Sequence, residues 1–329
     1  MNAATSQQTP AALHSRFDAL DSLRRYGITI VFAILVVTMM ITSPQFRTKG
    51  NFLNLLQQNS IIGILACGMT FAIILGGFDL SVGANAAMCS VVAAKIMIEV
   101  DIGLGIVAAL IAGLMVGLFN GVLIAYVGVN PFVSTLGTMT IIRGLVFVYT
   151  NATPLFGVSF SFTRVGLGRS LGVPNPFWIF AAVALVLGAL LGLTRFGQHI
   201  YAIGGNAVAA RQMGINVKRT RLVVYAMIGV CAAISGIILV GQTATGQPAG
   251  ALNYELTAIA AVIIGGATLS GGYGNLASTI VGVFLLGVVS NALNLFGVSP
   301  FWQPVATGSI LVVAVAIDSA AARSARLVR

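Results

Sequence analysis

Long apolar runs separated by short polar breaks dominate the chain. The runs are continuous, and most approach the ~20 residues a helix needs to cross the hydrocarbon core of a bilayer. They predict ten spanning helices, at about 26–43, 56–76, 80–98, 103–126, 131–150, 176–193, 221–241, 253–268, 274–295 and 302–318. The fold class that follows is all-α, a polytopic membrane helix bundle. The polar–apolar alternation of a transmembrane barrel is missing. Two breaks stand out. "GGFDLSVG" (Gly76–Gly83) divides the second span from the third, and "GGATLSGGYG" (Gly265–Gly274) divides the eighth from the ninth. Glycine, serine and an aspartate between two lipid-compatible segments predict broken or re-entrant backbone near 76–83 and 265–274. Such backbone is tolerated at membrane depth only inside protein or against a water-filled cavity. The organisation expected is a tail at 1–25, one transmembrane domain at 26–318 with a polar loop at 194–220, and a basic tail at 319–329.

Composition sharpens the picture. Of 329 residues, 58% are hydrophobic and 7% charged, against roughly 25% charged in soluble domains. Lipid is therefore a partner. The net charge of +10 does not point to nucleic acid, because the cations sit in short segments between the apolar runs. That is how topology is written. With ten spans and both termini in the cytoplasm, eleven of seventeen Lys and Arg fall on that side, at Arg16, Arg24, Arg25, Arg195, Arg211, Lys218, Arg219, Arg221, Arg323, Arg326 and Arg329. An odd number of spans would break the bias. The first run is followed by "TSPQFRTKG" rather than a small-residue cleavage pattern, so it reads as a retained helix. Cys67, Cys89 and Cys231 lie inside apolar runs with no C-x-x-C spacing, and read as buried free thiols, neither metal ligands nor a disulfide.

Four charges fall in or beside apolar runs: Asp79, Arg143, Glu255 and Asp318. Each costs about 2.5–3.5 kcal/mol at the bilayer centre on insertion scales. Asp318 ends the last span, close to Arg323, and reads as water-facing. Either Asp79 or Ser81 can cap the helix after the first break. The break itself reads either as pathway lining or as a capped turn at the membrane surface. Glu255, in the first turn of its span, reads as a dipole-favoured cap or as part of a vestibule. Arg143 lies about twelve residues, near 18 Å, into its span, and calls for a buried partner or a hydrated cavity. Glu255 and Asp79 are both candidates. The two breaks share G-G-x-x-L-S-x-G and follow even-numbered spans, so they run the same way through the membrane. That does not fit a simple inverted repeat.

The segment Thr194–Arg221 is the longest polar connection between spans. "GNAVAARQMGI" predicts a short helix with Asn206 as N-cap and Gly214 as stop. It lacks the large apolar face of an interfacial anchor, which favours docking in a groove of another protein over lying on anionic lipid through Arg211. No G-x-x-x-x-G-K-[ST] or H-E-x-x-H occurs. The chain is not expected to be an enzyme or to bind ATP by a P-loop, and no metal or cofactor is expected on it.

Four stretches carry a family resemblance: "GGFDLSVG" (76–83), "NPFVSTLGTMTIIRGL" (130–145), "TRFGQHIYAIGGNAVAARQMGINV" (194–217) and "ELTAIAAVIIGGATLSGGYGN" (255–275). Together they cover about a fifth of the chain. In order and spacing it resembles the permease subunits of bacterial ATP-binding-cassette (ABC) sugar importers of the ribose/xylose/galactoside type. Asn85 and Cys89 stand where the resemblance leads one to expect small or hydroxyl residues. The resemblance implies a bacterial inner-membrane, multi-pass protein paired with a second permease copy, often identical. It also implies two cytoplasmic ABC ATPase domains that bind the ATP, and a periplasmic sugar-binding protein. Matched to the family's coupling segment, Gly205, Asn206, Ala209, Ala210, Arg211 and Gly214 are expected to contact the ATPase.

A neutral sugar needs hydroxyl and amide partners rather than a fixed countercharge. The translocation pathway is therefore expected to draw on Ser81, Asn85, Asn120, Asn130, Ser134 and Thr135, with Asp79, Phe132, Arg143 and Glu255 beside them. The rival readings are a secondary transporter using Asp79 as its ion site and a permease for branched-chain amino acids. The stretches "GGFDLSVG" and "YAIGGN" resemble the sugar type.

Overall fold

The computed structural model describes residues 27–327. The predicted tail at 1–25 and the side chain of Asp318 lie outside the described residues. Ten apolar helices occupy the predicted positions: α1 (Gly27–Thr42), α2 (Lys49–Ile74), α3 (Val82–Glu99), α4 (Ile102–Val122, prolonged by a π turn to Val127), α5 (Pro131–Thr150), α6 (Asn175–Leu193), α9 (Val217–Thr243), α10 (Tyr254–Ile264), α11 (Leu276–Leu295) and α12 (Trp302–Leu327). Between α6 and α9 lie α7 (Arg195–Gly205) and α8 (Ala207–Gln212). Seven of the ten, namely α2, α3, α4, α5, α6, α9 and α11, are long and apolar enough to cross a membrane.

Local chemistry sets the boundaries. Thr48 accepts from the Asn51 amide and so starts α2 earlier than residue 56, where apolarity alone had placed it. Asp101 caps α4 through the amides of Gly103 and Leu104. Asn216 caps α9, which begins at Val217 rather than 221 because its first turn is basic and invisible to hydropathy. Likewise α12 continues past residue 318.

The eighth span needs a larger correction. α10 has eleven residues, about 16 Å of helix, roughly half of the ~30 Å hydrocarbon core. Gly265 caps it and Gly266 turns away in the left-handed region (φ +90°). The chain enters it through an irregular stretch whose start, Thr245–Gly246, pairs antiparallel with Leu155–Phe156. The apolar residues beyond Ile264 extend the hydropathy run, but the glycines end the helix.

α9 is the central helix and packs on α4, α3 and α2. The approach to α4 is backbone against backbone. A Cβ added at Gly229 or at Gly113 would run into the other's carbonyl, the close packing that small residues allow in membranes. From Ser60 to Ile74 all but one residue of α2 is buried, whereas α4, α5 and α6 turn Val107, Ile111, Leu145, Leu185 and Val186 outward. One end of the bundle carries α7, α8 and both glycine-rich breaks. The far end carries residues 151–174 with two minimal antiparallel pairings.

Candidate functional site

The first break goes from exposed to buried along its length: Gly76 is exposed, Gly77 and Phe78 are half-buried, and Asp79 to Gly83 are buried. α2 ends at Ile74, Gly76 takes φ +78°, and α3 starts only at Val82. Between them Asp79 is 2% exposed and Ser81 0%. Gly76 lies against Gly271, and Gly83 against Glu255. The stretch therefore runs antiparallel beside α10 over much of that helix's length.

Its polar groups satisfy one another. The Thr138 hydroxyl donates to Asn120 Oδ1 (2.7 Å), Asn120 Nδ2 donates to Ser81 Oγ (2.9 Å), and the Ser81 hydroxyl donates to Asp79 Oδ1 (2.6 Å). Every donor points the same way, so the bonds polarise one another and converge on one carboxylate. The Ser81 amide also donates to Asp79 Oδ1 (2.7 Å). Asp79 thus closes a turn ahead of α3 rather than capping the helix, because the amide it accepts from is that of the N-cap residue Ser81. Ser81 makes no side-chain cap of α3, because its hydroxyl is committed to Asp79. Tyr225 on α9 donates to the Phe78 carbonyl (3.2 Å), and the Asp79 amide faces Met69 Sδ (3.4 Å). Sequence reasoning missed Thr138. It lies one turn on from Ser134 and Thr135 in "STLGT", so hydroxyl periodicity marks it.

The other expected residues fall around this chain. Asn85 Nδ2 donates to the Gly113 carbonyl (3.3 Å), and Cys89 Sγ donates to Asn85 Oδ1 (3.4 Å), so the two departures from the family pattern are bonded to each other. Asn130 caps α5 through the Phe132 amide (2.9 Å). The Phe132 ring meets Phe78 edge-on, centroids 6.1 Å apart. Thr135 donates back to the Pro131 carbonyl, and the buried Ser134 hydroxyl has no partner. A cleft of about 210 Å³ opens beside the break, lined by Gly76, Gly77, Asn130, Pro131, Arg221 and Tyr225 among others.

Arg143 forms no salt bridge with either of its candidate partners. Its Nη1 donates to the carbonyls of Gly250 (2.9 Å) and Pro248 (3.2 Å), in the irregular chain that leads into α10. Glu255 is 8% exposed, and its Oε2 has no hydrogen-bond partner. It abuts Gly83, where a Cβ would strike both Oε2 and the Ala251 carbonyl. Among the described residues the one ion pair is Lys95–Glu99, at the far end of α3.

The second break meets the first. The Gly272 amide donates to the Ile74 carbonyl (2.8 Å). Gly204 of α7 sits against that same bond, and a Cβ there would strike Ile74 O and Gly272 N. Tyr201 donates to the Gly274 carbonyl (2.7 Å). The two similar glycine motifs are thus in contact with each other and with the helix leading into α8.

In α8, Asn206 Oδ1 accepts from the amides of Val208 and Ala209 (3.0 Å each), and Gly214 follows in the left-handed region. Gly205, Asn206, Ala209, Arg211 and Gly214 are exposed. Ala210 is not: at 4% exposure it faces its own chain and is unavailable to a partner. Val208 (70% exposed) and Met213 (83%) supply an apolar surface that sequence reasoning left out.

Residues 51–315 match the family described as "Branched-chain amino acid transport system / permease component". A ribose import permease protein of Escherichia coli (strain K12) is 41% identical over 298 residues, 88% of this chain and 92% of that one. An L-arabinose transport system permease protein of the same organism is 38% identical over 296 residues (89% and 90%). A D-allose transport system permease protein, also from that strain, is 37% identical over 300 residues (89% and 91%). No solved structure shows a significant match.

Proposed function

The chain belongs to this family of transport-system permease components, and we propose that it is the membrane-spanning subunit of an ABC importer for a monosaccharide. One observation carries the reading: the similarity extends over nearly nine-tenths of the chain to permeases named for three different monosaccharides. The family description mentions branched-chain amino acids, but these relatives are named for sugars. The Asp79 site of a secondary transporter is disfavoured because its Oδ1 is already taken up by Ser81.

The translocating chain contributes no bond-breaking chemistry. A cytoplasmic ABC ATPase binds and hydrolyses ATP and grips the exposed side of α8. A periplasmic binding protein delivers sugar at the far end, and a second copy of the chain completes the pathway. The end bearing α7 and α8 faces the cytoplasm, together with both termini. Arg195, Arg211, Lys218, Arg219 and Arg221 cluster there, as the positive-inside bias requires. Groups with unspent hydrogen-bonding capacity line the path: Ser134, Arg143 and Glu255, with Asn130, Phe132 and Thr135 at the cytoplasmic mouth of α5. ATP closes the ATPase dimer, α8 moves with it, and the two permeases rock about their shared interface.

The test is reconstitution in vesicles with the ATPase and binding protein encoded beside the chain. ATP-dependent uptake of ribose, arabinose or allose is expected. Uptake by the chain alone, without ATP, would establish a secondary transporter. Failure to move any monosaccharide with all partners present would overturn the proposal.

A further inference from the structure

Two contact systems meet at the first break, and they differ in kind. Towards α8 the contacts are mainly backbone, Gly204 against Ile74 and Gly272 and the Gly272–Ile74 bond, with the Tyr201 hydroxyl donating to the Gly274 carbonyl beside them. Towards the membrane interior they are side chains: Thr138, Asn120, Ser81 and Asp79, each 5% exposed or less. Only residues 75–78 separate the two systems. Of these, Gly76 and Gly77 are bonded back to α2 through Ile73 and Ala72, and Phe78 is held by Tyr225.

A sugar-binding residue must keep a donor or acceptor free for the sugar. The hydroxyl protons of Thr138 and Ser81 and the Asn120 amide are instead used on neighbours, away from water. A buried network of this sort resists distortion, since breaking one bond strands a desolvated partner. Its ends lie on different elements: Asp79 in the break, Asn120 on α4 and Thr138 on α5, five residues before Arg143.

We propose that Asp79, Ser81, Asn120 and Thr138 form the intramembrane half of a mechanical link, which passes displacement of α7–α8 through the Gly204–Gly272–Ile74 crossing and the first break to α5. Asp79, Ser81 and Asn120, which the sequence suggested as pathway lining, are on this reading positioning residues, as is Thr138. They hold α5 in register with the docking loop and do not touch the sugar. The proposal rests on the importer function above and names how that function is driven.

The experiment compares the assembled wild-type complex with Thr138→Val, Thr138→Ser, Ser81→Ala and the Thr138→Val/Ser81→Ala double variant. It measures ATP hydrolysed and sugar moved in the same vesicles. The link predicts that Thr138→Val leaves hydrolysis within about twofold of wild type but lowers sugar moved per ATP by about three- to tenfold, the scale of one buried hydrogen bond. Thr138→Ser, which keeps the hydroxyl, restores the ratio. The double variant is no worse than the worse single one, because a chain cut twice is no more cut than a chain cut once. A purely structural role lowers assembly, hydrolysis and uptake together and leaves the ratio unchanged, and that result overturns the link. So do additive losses in the double variant. Should Thr138→Val not assemble, Ser81→Ala decides by the same ratio. A wild-type complex that moves no sugar overturns the importer reading itself, a separate result from an unchanged ratio in an active complex.

Discussion

The amide of Gly272 donates to the carbonyl of Ile74 at 2.8 Å, so a residue after α10 closes a bond left open at the end of α2. Gly204 occupies the angle between them, and a Cβ there would strike both atoms of the bond. Gly204→Ala must push α7 away from the two breaks. Overpacking of this kind costs about 1–3 kcal/mol. The expected outcome is a lower melting temperature and a loss of uptake out of proportion to any loss of ATPase binding, because α8 remains intact. Thermal melts of the detergent-solubilised chain, with uptake in vesicles, check it. A variant as stable and as active as wild type would show that the crossing is looser than described.

At the other end of the same stretch, Gly83 faces Glu255 and the Ala251 carbonyl. Gly83→Ala is expected to displace the start of α10 and to destabilise the chain by a similar ~1–3 kcal/mol. Gly137→Ala serves as the control, since nothing lies within 4 Å of the Cβ it would add, and it should be near neutral. Equal effects at the two glycines would contradict the packing.

These two sites also mark how far the sequence can be read. Ten apolar helices were legible because hydropathy reports directly on burial in lipid, and both breaks were legible because glycine, serine and aspartate are conspicuous in such surroundings. The half-helix α10 was not, because "AVIIGG" looks the same to a hydropathy window whether the glycines end the helix or ride in it. Contact between the two breaks could not be read either. Asn206 and Gly214 were found from local capping rules, which need no tertiary context. Whether Arg143 bonds to a carboxylate or to the Pro248 and Gly250 carbonyls depends on where a distant irregular strand comes to rest, and no local pattern states that.

The Arg143 geometry separates two variants that a salt bridge would make alike. Arg143→Met strands two carbonyls, at a desolvation cost of about 1–3 kcal/mol for each group left unpaired. Arg143→Lys carries one compact ammonium in place of a planar fork and should recover only part of the loss. Glu255→Gln leaves both carbonyl bonds in place and should change stability little. Melting temperatures of the three variants decide the matter. A Glu255→Gln chain as unstable as Arg143→Met would establish an ion pair in place of the carbonyl anchor.

The proposed docking surface yields the most direct test of whether α8 meets an ATPase. Asn206, Ala209 and Arg211 are exposed along α8 with Val208 and Met213, while Ala210 is buried beneath them. Met213→Asp and Val208→Asp place a charge where the proposal puts an apolar contact, without disturbing the chain's own core. They should abolish co-purification of the ATPase while leaving the melting temperature of the isolated chain within a degree or two, as surface substitutions usually do. Asn206→Ala removes a cap that accepts two amides, and should cost about 1 kcal/mol of local helix stability with a moderate loss of binding. Ala210→Leu should do the reverse of the aspartate variants, lowering the melting temperature because the larger side chain has no room inside. If Ala210→Leu instead weakened ATPase binding alone, the burial of Ala210 would be wrong. If the aspartate variants still bound the ATPase, the partner surface would lie elsewhere on the Thr194–Arg221 loop.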